Sequence, residues 1–386
     1  MISLNKKFFS KNSILNLLVL CIPISYVAGN LIINLNIVLL IIATLALFSK
    51  DFFKLKINKL DKIIFFLFLY ILINGFYNNF YNLNLIELPK NYLLIKSVLY
   101  LKYLLFYISI RCLLSKEIIN FKILFLSISL SALFVNIDIF VQYFFGKDFF
   151  GYEATSRRLS GPFGEEYIAG SFLQRFSFFL ISYFFIFYNF KKKIYFDISV
   201  LFFISILTIG IILSGNRVPL LLFLIMLGLS IIFQKELRRT FLIYTSIIFI
   251  ALICLVNFSK DYKIHYMGFV NKSIQISFYL KEKILGSNMD LRKIALHNLH
   301  IKELETGFQS YKLNPIVGGG LRSFYLNCAN IEPNVLKELN KIGGCNSHPH
   351  NYYLQIAAEL GLLGLILISS IFLFLTVKIL KLLFNS

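Results

Sequence analysis

Apolar residues run in long blocks through most of this chain. Blocks of spanning length lie near 13–29, 31–48, 63–79, 93–113, 122–145, 170–189, 195–213, 218–233, 241–258 and 352–377. A bilayer core of about 30 Å is crossed by about 20 helical residues, and lipid offers the backbone no other partner. The pattern predicts an all-α, polytopic integral membrane helix bundle with about ten transmembrane helices. The first block leads straight into the second without a small-residue cleavage site, so it reads as a retained span. Residues 1–386 are expected to form a single membrane domain without internal repeats.

One stretch departs from the pattern. Residues 259–351 form a long loop before the last predicted span. Loops of this length inside a compact fold are usually functional or disordered. Within it, 289–309 sets Leu291, Ile294, Leu299 and Leu304 among charged residues. That spacing predicts an amphipathic helix at the membrane surface, ended by Pro315 and the glycines 318–320.

Composition agrees with the pattern. The chain is 58% hydrophobic and 15% charged, which excludes an ordinary soluble domain. Its formal charge of +20 would by itself suggest nucleic acid, but the basic residues sit in every second short loop. Examples are Lys50, Lys54, Lys56, Lys59 and Lys62, then Lys191, Lys192 and Lys193, then Lys235, Arg238 and Arg239. That bias sets topology, so the expected partner is the lipid bilayer and not nucleic acid. Both termini are expected on the cytoplasmic side of the membrane. Segments 146–169, 214–217 and 259–351 then face the outer side.

Candidate chemistry gathers on that outer side. Arg157, Arg158, Arg175, Arg217, Arg292 and Arg322 all lie there, whereas the cytoplasmic loops rely mainly on lysine. Lysine is enough for topology. Arginine adds a planar fork that grips phosphate with paired hydrogen bonds. The residues alone leave both a phosphate ligand and lipid headgroups open. Arg217 follows Ser214-Gly215-Asn216 and precedes Pro219, so it opens a helix whose N-terminus already favours anions. A snorkelling role is its alternative. Arg175 lies inside a span, where Asp138 and Gln142 of the preceding span are candidate partners. Glu165 and Glu166 fit either acid–base chemistry or a helix cap. Gly318-Gly319-Gly320 beside Arg322 suggests a backbone nest for phosphate.

The stretch Asn346-Ser-His348-Pro-His350-Asn351 turns apolar within a few residues. Pro349 stops a preceding helix and Asn351 is a good N-cap for the next. Asn351, Gln355 and Glu359 then share one polar face. His350 at such a helix mouth fits a proton acceptor near neutral pH or a loop-capping group. No zinc spacing is present, so no metal is expected, and Cys328 and Cys345 are candidates for a disulfide in an oxidising compartment.

These stretches resemble a known family. SGNRVPLLLF (214–223), NPIVGGGLRSF (314–324) and HPHNYYLQIAAELGLLG (348–364) look like segments of the bacterial O-antigen ligase and O-antigen polymerase superfamily. RLSGPFGEEYIAGSFLQRF (158–176) is similar to the family's loop before a central span. The resemblance implies a metal-independent, inverting glycosyltransferase without a cofactor. Its donor would be a glycan on undecaprenyl pyrophosphate. Its acceptor would be a sugar hydroxyl on lipid A-core or on another lipid-linked glycan. The family's essential arginine and histidine carry over to Arg217 and His350. Arg322, Arg158, Arg157 and Arg175 are the further candidates for binding pyrophosphate. A transporter of lipid-linked sugars is a more distant reading, since broken helices in related halves are not evident.

Overall fold

A computed structural model describes residues 11–81, 91–155, 158–188, 193–233, 235, 238–258, 260–285, 298–327 and 348–384. Among these residues the fold is helical, with one isolated bridge between Lys147 and Glu153. In order come α1 (Lys11–Leu20), α2 (Ile22–Val27), α3 (Asn30–Phe53), α4 (Lys59–Tyr81) and α5 (Tyr92–Ser115). Next are α6 (Phe121–Phe145), α7 (Ala169–Phe187), α8 (Lys193–Leu213), α9 (Arg217–Phe233) and α10 (Arg238–Phe258). The last are α11 (Lys260–Leu285), α12 (Leu299–Leu313), α13 (Ser323–Asn327) and α14 (Tyr352–Phe384).

Seven of the described helices, α3 to α8 and α14, are long and apolar enough to cross a membrane. The protein is thus an all-α, multi-pass membrane protein. The first apolar block, expected as one span, is divided into the short helices α1 and α2. Pro23 sits in the first turn of α2, where its missing N–H costs nothing. The chain also divides into two compact units, Met1–Leu55 with Phe106–Tyr266, and Lys56–Leu105 with Met267–Ser386.

The first unit is organised by apolar packing. Ile139, Leu173, Ile204, Leu207, Ile211 and Phe223 are fully buried in one continuous cluster contributed by α6 to α9. At the end of α6 a folded loop is fastened by side chains. Asp138 Oδ1 accepts from the Phe149 N–H at 2.9 Å. Gln142 donates to the Tyr152 carbonyl at 3.2 Å and accepts from the Gly161 N–H at 2.9 Å. These two side chains are thereby committed to the loop, and Arg175 is exposed. The Ser214-Gly215-Asn216 turn packs on Gly170 of α7, where an added Cβ would meet Ser214 Oγ at 2.3 Å. Asn216 donates to the Tyr167 carbonyl at 3.1 Å and so ties α9 to the start of α7.

The second unit is rich in polar bonds. Among its described residues the larger apolar cluster has Phe68, Ile71, Leu321 and Leu360 as buried members. Helix α4 opens with a reciprocal cap, Asp61 N–H to Asn58 Oδ1 at 2.9 Å and Asn58 N–H to Asp61 Oδ2 at 2.7 Å. Helix α14 is broken at Gly361, whose φ of 64° and ψ of −167° cannot continue a helix. The break has replacement bonds on both of its sides. The carbonyls of Ala358 and Glu359 accept from Gly319 N–H at 3.0 Å and Gly320 N–H at 2.8 Å. The Tyr70 hydroxyl lies 2.8 Å from the Leu360 carbonyl and 2.7 Å from that of Val317, so its one proton is shared between them. On the far side of the break, Leu362 N–H donates to the Pro315 carbonyl at 2.9 Å and Leu363 N–H to that of Ile316 at 3.3 Å. Asn74 and Asn78 of α4 donate to the Val317 and Gly318 carbonyls at 2.6 and 3.0 Å. In lipid an unpaired backbone group costs several kcal/mol, so this set is what permits the break.

The 259–351 region holds more helix than its sequence suggests. α11 was not expected, and α12 begins later than the predicted amphipathic helix, whose residues 289–297 lie outside the described residues. α12 is not a free surface helix. Ile301 packs with Tyr279 of α11, whose hydroxyl donates to Glu305. Burial, and then the Glu305 carboxylate, push the Tyr279 hydroxyl far up, so it stays a donor.

Candidate functional site

The second unit carries a cavity of about 470 Å³. Three cations line it, Lys96 and Lys102 from α5 and Arg322 from the turn before α13. Tyr100, His348, Gln355 and Glu359 complete its polar wall. Charge at membrane depth is costly, so lysines inside a span normally face a cavity or a partner. Here both face the cavity, each with its ammonium about 5 Å from a neighbouring ring, Lys96 over Tyr92 at 5.1 Å and Lys102 over Tyr103 at 4.9 Å.

The broken helix positions the opposite wall. Gly318 and Gly361 touch backbone to backbone, since a Cβ at Gly318 would lie 2.4 Å from Gly361 N. The turn that follows forces Arg322 into a left-handed backbone with φ of 68°. Non-glycine residues rarely adopt this conformation, and it concentrates at functional sites. Glu359 is buried on the first turns of α14. Its carboxylate accepts from Gln355 Nε2 at 3.2 Å and from the Arg322 backbone N–H. The cavity therefore holds a net excess of positive charge around one fixed carboxylate.

The His-Pro-His segment sits at the mouth of α14. Asn351 Oδ1 accepts from the N–H groups of Tyr353 at 3.0 Å and Leu354 at 3.1 Å, which is the expected N-cap. His350 is the second site residue in a left-handed conformation, with φ of 48°. Its ring lies 4.4 Å from that of His348, which faces the cavity. Desolvation, then the neighbouring His350, lower the pKa of His348. Arg322 adds to that lowering and Glu303 opposes it. On its other side His350 approaches the carboxylate of Glu303 on α12, Nε2 to Oε1 at 3.4 Å.

The remaining expected residues fall as follows. Arg217 opens α9 in the first unit, half-buried at the helix N-terminus as its sequence context predicts. Arg158 is exposed, with its guanidinium 5.8 Å from the Tyr167 ring. Arg157, Arg292, Cys328 and Cys345 lie outside the described residues. The phosphate nest expected at Gly318-Gly319-Gly320 does not form, because all three N–H groups donate to the carbonyls of Asn314, Ala358 and Glu359. Those donors close the helix break instead. Sequence reasoning missed Lys96, Lys102 and Glu303. Two lysines inside the apolar block 93–113 were a readable signal. Glu303 carried none, since it sits on an ordinary amphipathic pattern.

Fold and site together define a multi-pass membrane protein with a cationic, partly polar cavity set among its helices. A family model described as O-antigen ligase matches residues 200–369, a stretch that includes Arg217, Arg322 and His350. That match spans a little under half of the chain and supports membership of the O-antigen ligase and O-antigen polymerase superfamily, glycosyltransferase-like membrane enzymes of lipopolysaccharide biosynthesis. No curated protein and no solved structure matches it.

Proposed function

We propose that this protein is an O-antigen ligase-type glycosyltransferase of the bacterial inner membrane, working at the periplasmic face. It moves a glycan from undecaprenyl pyrophosphate to a sugar hydroxyl of lipid A-core or a similar acceptor. The observation that carries this reading is the cavity in which Lys96, Lys102 and Arg322 converge next to the His348–His350 pair. In the reaction the acceptor oxygen bonds to the anomeric carbon from the face opposite the leaving group. The bond from that carbon to pyrophosphate breaks, and its electron pair leaves with the phosphate. Negative charge grows on the leaving group, where prearranged cations stabilise it, a task that in other enzymes falls to a metal ion. His350 takes the acceptor proton. Attack from the opposite face inverts the anomeric centre.

Arg322 and the two lysines are assigned to the pyrophosphate. Arg217 is assigned the same chemistry from the family resemblance and from its place at a helix N-terminus. Arg158, Arg157 and Arg175 are weaker candidates for that task, and of the two described, Arg158 and Arg175, neither lines the cavity. The polyprenyl tail stays in lipid during transfer, which suits a site among membrane helices. A span count of about ten, cytoplasmic termini, a periplasmic 259–351 segment within one membrane domain and a Cys328–Cys345 disulfide complete the proposal.

The test uses purified protein in liposomes with an undecaprenyl-pyrophosphate-linked oligosaccharide, with and without lipid A-core. Glycan appearing on lipid A-core, and lost in His350→Ala and Arg322→Ala, supports the ligase. A ladder of longer lipid-linked chains without added core makes it a polymerase. Folded wild-type protein that yields neither product sinks the enzyme reading and brings a transporter forward.

A further inference from the structure

Glu303 is a carboxylate held between two imidazoles. Its side chain is 3% exposed, against 49% for His350 and 56% for His300. Each carboxylate oxygen faces one ring, Oε1 to His350 Nε2 at 3.4 Å and Oε2 to His300 Nδ1 at 3.3 Å. The backbone enforces the arrangement. One turn further along α12, Gly307 lets Pro349 pack against the helix, where an added Cβ would meet Pro349 Cβ at 3.1 Å and Leu354 Cβ at 3.3 Å. Pro349 is buried there, and the next residue, His350, takes its left-handed conformation directly over Glu303. The other charged groups of α12 are turned elsewhere. Glu305 is engaged by Tyr279 and Gln309, Lys312 lies over Phe308, and Lys302 projects about 100° around the helix from Glu303.

We propose that Glu303 is a positioning residue that fixes the tautomer and orientation of His350. This inference rests on His350 being the group that accepts the acceptor proton. A neutral imidazole has one N–H and one lone pair. A carboxylate beside Nε2 favours the tautomer with the proton on Nε2, because a lone pair there would face negative charge. The free lone pair is then on Nδ1. When the acceptor oxygen bonds to the anomeric carbon, its proton passes to Nδ1, and the resulting imidazolium is stabilised by Glu303. The opposite tautomer would present an N–H to the acceptor hydroxyl and could take no proton. His300 occupies the second carboxylate oxygen and keeps the carboxylate from swinging away. Strained backbone at His350 is thus spent on aiming one ring nitrogen at Glu303 and the other away from it.

The liposome transfer assay tests this with Glu303→Gln, Glu303→Asp, His300→Gln and His350→Ala, using the same donor and lipid A-core. Glu303→Gln keeps the size but loses the charge, and its amide is able to favour either tautomer. Its kcat is expected to fall about 10²–10⁴-fold, in line with loss of an orienting carboxylate elsewhere, with the donor KM changed less than about threefold. Glu303→Asp should recover part of that loss, and His300→Gln should cost less than about tenfold. A kcat for Glu303→Gln within threefold of wild type, with His350→Ala inactive, overturns the inference and leaves His350 as the base. An active His350→Ala overturns the reading on which it rests. If Glu303→Gln does not fold, Glu303→Asp decides, because a wild-type kcat with the carboxylate withdrawn from His350 also overturns the inference.

Discussion

The two compact units solve the same problem by opposite means. The first buries a broad apolar cluster between α6, α7, α8, α9 and α10, with polar links such as Tyr244 to Thr208 added to it. Among its described residues the second has smaller apolar clusters and accounts for its backbone carbonyl by carbonyl around the break at Gly361. Apolar packing tolerates small rearrangements, because dispersion contacts are many and undirected. Hydrogen bonds fix direction. It is the directed unit that holds Arg322 and His350 in rare backbone conformations and that contains the cationic cavity. The difference teaches that precision at a membrane-embedded site comes here from polar bonds and not from a large core.

The sharpest way to break this comparison is to spoil the break itself. Gly361→Ala would place a Cβ 2.3 Å from the Ile316 carbonyl oxygen at a φ of 64°. Loss of on the order of 3–5 kcal/mol is expected, read as loss of monodisperse protein and of the thermal transition in detergent. Gly228→Ala in the first unit meets nothing within 4 Å and should stabilise α9 slightly, which a thermal scan would register. Next in size is Arg322→Gly, which relieves the strained φ of 68° while removing the fork. Transfer should fall about 10²–10³-fold with no loss of melting temperature. A parallel fall in both would mean that Arg322 is structural.

A smaller contrast sets a hydroxyl against a methyl group. Tyr70→Phe removes the proton shared by Val317 and Leu360 and should cost about 1–3 kcal/mol. Ile204→Val in the first unit should cost about 0.5–1.5 kcal/mol, and equal losses in urea or thermal unfolding would erase the distinction drawn between the units. The smallest effect concerns pH. The folded state lowers the pKa of His348, so folding favours its neutral form. That contribution is complete above the ordinary value of 6.5 and is lost as pH falls below it. His348→Asn should therefore flatten the decline in melting temperature as pH falls below 6.5. An unchanged slope would show that His348 has no part in it.

Much of this was legible in the residues, for reasons that differ by position. Asn351 as a cap and Gln355 and Glu359 as one polar face follow from helical spacing alone, and the structure reproduces them. The residues around Gly361 carry no local mark of a break. The break depends on residues 315–320 and on Tyr70, far away in sequence, so no local pattern encodes it. Lys96 and Lys102 stand out only by lying inside the apolar block 93–113, because lysine elsewhere in the chain sets topology. The glycines 318–320 look like an anion nest in isolation, and only the tertiary partner decides where their N–H groups go. Glu303 matters through two histidines from different segments, one of them 47 positions away (350 − 303).

The break at Gly361 also has a consequence for how the chain is made. Its replacement partners, Tyr70 and the segment 315–320, are all synthesised before residue 361. Synthesis runs from the N-terminus at about 5–20 residues per second, so they have left the ribosome seconds before the second piece of α14. The last span need not wait in lipid with open carbonyls. Its partners are already in place to receive it, and a circularly permuted chain that delivered α14 first would face that hazard.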